Sequence, residues 1–286
     1  MMDLNRTDEE QRRQFWRESM ERSYELLRTM ETYEVHECGE GLDSIPDAAA
    51  AEGVEMLLSD TKIAGKLDRI YHVRKSLLPD LVTIGREMNE RGWILKIEDG
   101  FRTLEMQTEL GRAPAIFDTI VRMCQWECGG NAPPLDLLDR RATCLVANYP
   151  NTGTHLMGAA VDVSVVRRED GSEVWRGKPY LHMSELTPMN SPFVSEDERR
   201  NRQQITQIME RQGFMHYQGE FWHYNKGDAV YQVLAKTGQP ARYGPIHWDP
   251  KSGEVTPFDD VSSPLTPPAM LAENLRAALE RLLPGA

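Results

Sequence analysis

Two short segments, far apart along the chain, carry residue types that bind a divalent metal ion. The first runs His155-Leu-Met-Gly158 and on to Asp162, so an imidazole and a carboxylate stand on either side of a flexible glycine. The second reads Glu220-Phe-Trp-His223 and offers another imidazole. Zinc takes His nitrogen and carboxylate oxygen, and a catalytic zinc site has three protein ligands and one open position. The sequence therefore predicts a Zn2+ site formed by His155, Asp162 and His223.

Glu220 precedes the last of these ligands by three residues and is a candidate catalytic base. Zinc lowers the pKa of water from about 15.7 to about 7, and a nearby carboxylate can then accept the proton. On a regular strand, however, Glu220 and His223 would face opposite sides. The prediction therefore requires a bend or bulge near Trp222, which the sequence does not show.

Arg102 follows a predicted strand and the Asp99-Gly turn that ends it. A fixed guanidinium in this place could stabilise the oxyanion of a tetrahedral intermediate or hold a carboxylate. It could instead form a structural ion pair with Asp99 or Glu98. We predict the catalytic role and keep the structural one as the alternative.

The elements that must position these residues mix helices and strands without regular βαβ alternation. Periodicity, caps and glycine stops predict helices at Thr7–Met30, Leu77–Arg91, Thr103–Leu110, Pro114–Cys128, Glu196–Gln212 and Leu271–Leu282. Strands are predicted at Trp93–Ile97 and Gly158–Val166, with a hairpin of Phe214–Tyr217 and Glu220–Tyr224. Cys38–Thr61 and Gly244–Pro268 are predicted to be connecting or irregular structure. The pattern favours an α+β fold with a small, mainly antiparallel sheet and flanking helices.

Composition excludes several classes of function. The net charge is -12, with 45 acidic against 33 basic residues, which disfavours binding to nucleic acid. No segment reaches the ~18 apolar residues of a membrane span, and the first residues lack the apolar stretch of a signal peptide. We therefore expect a cytoplasmic protein without a membrane partner. The four cysteines are predicted to be reduced structural thiols.

These motifs also resemble a known family. His-x-x-Gly-x-Ala-x-Asp, ending at Asp162, and Glu-x-Trp-His, ending at His223, resemble the D-alanyl-D-alanine dipeptidases of vancomycin resistance, within a wider group of zinc D,D-peptidases. Asp99-Gly-Phe-Arg is similar to that family's Asp-Gly-Tyr-Arg. The segment from Asn201 to Tyr217 is similar to its helix before the last motif. The resemblance spans roughly residues 63–224.

The resemblance implies a role for each matching residue. His155, Asp162 and His223 would be the zinc ligands, Glu220 the general base and Arg102 the transition-state stabiliser. It also implies three regions, which are an N-terminal helical extension (1–62), a zinc peptidase catalytic domain (63–243) and an irregular tail with a terminal amphipathic helix (244–286).

Three positions depart from the family pattern. Gly153 stands where the family usually has Ser, and Thr103 where it usually has Pro. Val194 stands where an Asp is expected to hold the substrate ammonium. Glu196 and Asp197 follow closely and are the candidate substitutes.

The implied function is zinc-dependent hydrolysis of a short peptide, in the first place a D-alanyl-D-alanine-type dipeptide. A zinc carboxypeptidase or amidase acting on longer cell-wall peptides is the alternative, since it would need no ammonium partner. A third hypothesis is a non-catalytic, zinc-stabilised binding module. The expected partner is a small peptide substrate, and the sequence leaves the oligomeric state open.

Overall fold

The computed structural model describes residues 4–283, with side chains from residue 8 onward. Within that range lie nine helices, α1 Leu4–Arg28, α2 Ile45–Ala51, α3 Leu78–Glu90, α4 Leu104–Arg112, α5 Pro114–Glu127, α6 Leu135–Val146, α7 Glu196–Arg211, α8 Ala229–Leu234 and α9 Pro268–Arg281. The strands are β1 Leu42–Ser44, β2 Met56–Leu58, β3 His72–Arg74, β4 Trp93–Asp99, β5 Ala160–Arg167, β6 Met215–His216, β7 His223–Asn225, β8 Ile246–Trp248 and β9 Val255–Pro257.

Five strands form the central sheet, in the order β2-β4-β5-β7-β6. β5 pairs antiparallel with β4 and β7, and β7 pairs antiparallel with β6. The edge strand β2 runs parallel to β4. Strand β5 is rich in valine and buried along most of its length, as suits the middle of a covered sheet. The predicted α+β class, with a small and mainly antiparallel sheet, is confirmed.

Two hydrophobic clusters hold these elements together. The first packs α3 and α7 onto the sheet, with Leu81, Ile97, Val163, Ile205 and Ile208 all fully buried. The second joins α1 and α9, from the two ends of the chain, to α5 and α6. Its buried residues include Trp16, Met20, Ile120, Leu138 and Leu275. The helix predicted at Thr7–Met30 is therefore present, beginning earlier at Leu4, and its apolar stripe is buried.

The segment Cys38–Thr61 is not simply connecting structure, so that prediction was wrong. It contains β1, α2 and β2, and β2 adds the edge strand to the central sheet. The short alanine run is helical because Ser44 caps it and Pro46 occupies its first turn. The glycines and prolines that indicated a loop lie at the boundaries of these short elements.

Two other predicted segments also differ from the structure. The stretch Gly244–Pro268 includes the antiparallel pair β8 and β9, so it is only partly irregular. The predicted hairpin is present, but its second strand begins at His223 rather than Glu220. Helix α6 was not predicted, because it begins immediately after a Pro-rich passage.

None of the helices among the described residues is long and apolar enough to cross a bilayer. All four cysteines are free, and Cys124 and Cys144 are buried, as structural thiols would be. Burial raises the pKa of the Cys144 thiol to about 12, which keeps it protonated.

Candidate metal centre

The three predicted ligands come together at the middle of the central sheet. Asp162 on β5 and His223 on β7 are direct partners in the strand register, so their side chains lie on one face. His155 lies in a short 3-10 turn before β5. Gly158 ends that turn with a φ of +64°, a conformation that favours glycine and directs the chain back into the strand.

The ligand atoms are close enough to share one ion. His223 Nδ1 lies 2.9 Å and His155 Nε2 lies 3.3 Å from Asp162 Oδ1. All three ligand atoms lie within 4.8 Å of one another, and all three residues are buried. Ligands at the usual zinc distances of about 2.0–2.2 Å in a tetrahedron would stand roughly 3.3–3.6 Å apart, similar to these separations.

Hydrogen bonds to residues outside the cluster fix which nitrogen of each histidine faces the other candidate ligands. His155 Nδ1 donates to the Gly100 carbonyl at 2.6 Å, which leaves Nε2 facing the centre. His223 Nε2 lies 2.9 Å from the Thr154 hydroxyl, which leaves Nδ1 towards Asp162. His155 Nε2 is buried and makes no hydrogen bond. A buried nitrogen aimed at a carboxylate and a second imidazole, without a partner of its own, fits a metal ligand.

The protonation states also suit a metal. Burial raises the pKa of Asp162, but the nearby His155 and His223 side chains lower it more, so the net pKa lies well below normal. Burial lowers the pKa of His223 and favours its neutral form. A metal site needs an ionised carboxylate and neutral imidazoles, so the residues present fit a divalent ion of the zinc type.

Arg102 is buried beside the cluster and forms several contacts. Its Nε donates to Asp99 at 2.8 Å, its Nη1 to Gln107 at 3.1 Å and its Nη2 to Asp162 at 3.3 Å. Burial lowers the pKa of Arg102, but Asp99, Tyr180 and Asp162 raise it more, so the guanidinium stays charged. The structural pairing with Asp99, which the sequence left as an alternative, is therefore present.

Glu220 lies in the turn between β6 and β7 rather than on a strand. The Glu220 amide donates to the Tyr217 carbonyl at 3.3 Å, and the Tyr217 amide donates to the His223 carbonyl at 3.0 Å. This turn supplies the bend that the sequence prediction required. The turn extends through Trp222, and Glu220 lies in it two residues earlier. Glu220 thereby lines the same cavity as the three ligands.

The environment of Glu220 favours the protonated carboxyl in the absence of a cation. Only 8% of the residue is exposed, and burial together with the negative charge of Asp162 raises its pKa well above normal. A carboxyl group with a raised pKa that faces a cluster of metal-binding side chains suits proton transfer.

A cavity opens in front of the metal cluster. Its walls include Arg102 and Glu220, together with apolar side chains from several helices. Val194, by contrast, is buried beside Gly177 and does not line the cavity. Glu196 and Asp197 are exposed in the first turn of α7 and are not cavity-lining residues either, so the structure does not bring these two candidate substitutes to the site.

The sequence did not single out several residues that support the site. Tyr180 donates to Asp162 Oδ2 at 2.8 Å from a long loop that has no motif. Arg69 lies 2.7 Å from Asp99 and so helps to fix the carboxylate that holds Arg102. Thr154 was visible as the residue before His155, but its contact with His223 depends on the fold.

Comparison with known proteins agrees with the motifs. A family model described as D-ala-D-ala dipeptidase matches residues 141–237, which include all three candidate ligands and Glu220 but not Arg102. A D-alanyl-D-alanine dipeptidase of Enterococcus faecium is 30% identical over 94 residues, covering 33% of this chain and 46% of that protein. One from Enterococcus faecalis (strain ATCC 700802 / V583) is 28% identical over 92 residues, covering 32% and 46%. The match thus spans about half the length of these relatives.

Two solved structures are more distant. An LD-carboxypeptidase, LdcB, whose structure concerns peptidoglycan recognition, is 19% identical with a TM-score of 0.33, covering 63% of this chain and 72% of its own. The vancomycin-resistance D,D-pentapeptidase VanY, solved with Zn(II), is 16% identical with a TM-score of 0.33, covering 63% and 92%. Likenesses this weak support no conclusion about the present chain. Residues 141–237 nevertheless match the family model described as D-ala-D-ala dipeptidase, and the resemblance inferred from the two metal-binding motifs is confirmed.

Proposed function

We propose that this protein is a zinc-dependent hydrolase of short peptides. The observation that supports this function most directly is the convergence of His155, Asp162 and His223 in the wall of a cavity that Glu220 also lines. A bound zinc ion would activate a water molecule and polarise a peptide carbonyl. The buried, unpartnered Nε2 of His155 is a feature that a purely structural cluster would not require.

Glu220 is proposed as the residue that moves the proton. Its carboxylate takes a proton from the attacking water and delivers it to the leaving amine, which completes cleavage of the peptide bond. Arg102 is proposed to stabilise the negative charge that develops on the carbonyl oxygen. The hydrogen bonds of Arg102 to Asp99 and Gln107 hold its guanidinium in place for this role.

The names of the relatives make D-alanyl-D-alanine the first candidate substrate. A second candidate is an N-blocked cell-wall peptide, cleaved by a carboxypeptidase or amidase reaction. The position of Val194 favours this second candidate, because no carboxylate replaces the expected ammonium partner there. A non-catalytic zinc module is disfavoured by Glu220, which such a module would not need in the cavity. We also propose that the protein is located in the cytoplasm.

The function is tested by assaying the zinc-loaded protein on a panel of L- and D-dipeptides and N-blocked peptides, with and without a chelator. We expect hydrolysis that the chelator abolishes and that zinc restores. Glu220→Gln should lower kcat by about 100- to 10,000-fold while the protein still binds zinc. Glu198→Gln, on the distant helix α7, is the control and should keep full activity. Unchanged turnover in Glu220→Gln would show that the assigned base is wrong.

A further inference from the structure

The pairing of β5 with β7 stops where the chain turns away to bring Glu220 to the cavity. Strand β7 begins at His223, which pairs with Asp162 on β5. A regular continuation of this ladder would join Val163 and Trp222 by two hydrogen bonds. The Val163 amide does donate to the Trp222 carbonyl at 3.0 Å. The Val163 carbonyl, however, accepts from a side chain.

That side chain is Arg176, in the loop between β5 and α7. Its Nη2 donates to the Val163 carbonyl at 2.7 Å, and its Nη1 donates to the Phe221 carbonyl at 3.0 Å. Val163 directly follows Asp162, and Phe221 directly follows Glu220. The planar guanidinium therefore joins the strand that carries a candidate ligand to the turn that carries the proposed base.

The ring of Phe221 packs against two buried arginines. The guanidinium carbon of Arg176 lies 4.8 Å from the ring centroid, and that of Arg202, on α7, lies 4.4 Å from it. Arg202 also holds the backbone of the other arginine, because its Nε and Nη2 donate to the Arg176 carbonyl at 2.8 and 2.7 Å. Helix α7 thereby restrains both the loop of Arg176 and the turn of Glu220.

The charge of Arg176 is placed unfavourably for stability alone. The residue is fully buried, and burial lowers the pKa of its guanidinium. Its nitrogen lies 3.9 Å from the Glu173 carboxylate, which is too far for a hydrogen bond. Apolar residues in such places are often as stable or more stable. The hydrogen bonds to two carbonyl groups beside the site therefore indicate a role in geometry.

We propose that Arg176 is a positioning residue that fixes Glu220 relative to Asp162, and that Arg202 holds Arg176 in place. Neither arginine is among the residues that line the cavity, so each acts through the backbone that it contacts. This inference rests on the proposed hydrolase function and assigns part of the geometry of that site to residues outside the cavity.

Arg176→Met tests the proposal in the zinc-loaded protein. We expect kcat to fall by about 100-fold, the usual effect of a misplacement of about 1 Å, while KM and zinc content stay unchanged. Arg141→Met is the matched control, since Arg141 is also fully buried but donates to Glu127 and Glu21. The control should keep the wild-type kcat wherever it remains folded. Wild-type kcat in Arg176→Met, or an equal fall in both variants, would overturn the proposal.

Combination with Glu220→Gln shows through which group Arg176 acts. Residues that act as a unit have strongly non-additive effects on kcat. If Arg176 acts by placing the Glu220 carboxylate, then Arg176→Met should leave the residual kcat of Glu220→Gln nearly unchanged. A further fall of about 100-fold in the double variant would show that Arg176 acts independently of the base and would contradict the proposal.

Hydrogen exchange tests the positioning without any turnover. The turn is closed by hydrogen bonds from the Glu220 amide to the Tyr217 carbonyl and from the Tyr217 amide to the His223 carbonyl. Residues 217–222 should exchange about tenfold faster in Arg176→Met, because the turn loses a charged donor, but not in Arg141→Met. Unchanged exchange at 217–222 would overturn the positioning role. If the wild-type protein cleaves no peptide, the hydrolase function fails and this measurement still decides the role of Arg176.

Arg176→Lys provides a second variant should the methionine variant not fold. It keeps the positive charge but offers one nitrogen in place of the planar fork. We expect kcat to fall by about tenfold and exchange at residues 217–222 to rise, with zinc content unchanged. Wild-type kcat together with wild-type exchange in this variant would contradict the proposal.

Discussion

Asp162 divides its two carboxylate oxygens between two sets of partners. Oδ1 faces the imidazoles of His155 and His223, whereas Oδ2 accepts from Tyr180 at 2.8 Å and from Arg102 at 3.3 Å. A carboxylate held in this way presents a single oxygen to a metal ion. Mutation of a residue that hydrogen-bonds to a metal ligand typically lowers metal affinity by about 10- to 100-fold.

Tyr180→Phe removes one of these restraints without changing a ligand. We expect zinc affinity to fall by about 10- to 100-fold, because Asp162 loses the hydroxyl that orients it. Tyr149→Phe is the control, since it deletes a similar hydroxyl that contacts Asp139 away from the site. Competition with a chromogenic chelator measures both affinities. Equal affinities in the wild type and Tyr180→Phe would refute the orienting role.

The candidate metal ligands were easier to predict from the sequence than the residues that hydrogen-bond to them. His155, Asp162 and His223 stand in two motifs whose residue types and order are typical of metal ligands. Tyr180 reaches the same carboxylate from a loop with no periodicity, so nothing local marks it. The sequence left the choice between a structural ion pair and a catalytic contact for Arg102 open, because both require the same residue type.

The turn between β6 and β7 is the element that places the proposed base. Glu220 approaches the cavity because residues 217–222 fold back before β7 begins. Gly219 makes this possible, since a Cβ atom there would lie 2.6 Å from the ring of Tyr217. The ring itself is buried and donates its hydroxyl to the Cys144 carbonyl at 3.2 Å, so it has little room to move.

Gly219→Ala should therefore displace the turn. We expect kcat to fall by about 100-fold, the usual effect of a misplacement of about 1 Å, while zinc affinity changes little. Gly111→Ala is the control, because the added methyl group meets only Val146 at 3.8 Å and lies in helix α4. Loss of zinc together with activity would mean that the turn supports the ligands rather than the base.

Long, periodic elements were predictable, and short ones were not. Helix α3 and strand β5 follow clear apolar patterns that burial alone accounts for. Strand β2 has three residues and gains its structure from pairing with β4, which is a long-range contact. The bend at Glu220 depends on contacts with Tyr217 that the alternating pattern of a strand cannot reveal.

Segments from both ends of the chain meet at a single buried arginine. Arg74 is fully buried, and its Nε donates to the Met157 carbonyl at 2.7 Å, two residues after His155. Its other nitrogens donate to Glu37 at 2.8 and 2.9 Å and to Gly244 at 3.3 Å. The region predicted as an N-terminal extension and the tail are thus joined to the turn that carries a ligand. The division at residues 62 and 243 remains a proposal.

Arg74→Met should destabilise the whole protein. We expect the free energy of unfolding to fall by about 3–5 kcal/mol, because Glu37 loses the partner of a buried ion pair. Arg86→Met removes an exposed pair with Glu52 and should cost about 0–1 kcal/mol. Urea unfolding measured by circular dichroism compares the two. Similar unfolding midpoints in the two variants would show that the contacts of Arg74 with these segments do not stabilise the protein.

The most direct test of the proposed zinc centre is the metal content of the purified, zinc-equilibrated protein and of a His155→Ala variant. We predict one zinc ion per chain in the wild type, with X-ray absorption indicating two imidazoles and a carboxylate as ligands. His155→Ala, by contrast, should lose the ion at the same free zinc concentration. A wild-type protein that binds no zinc, or a variant that keeps it with an unchanged absorption spectrum, would contradict the proposed centre.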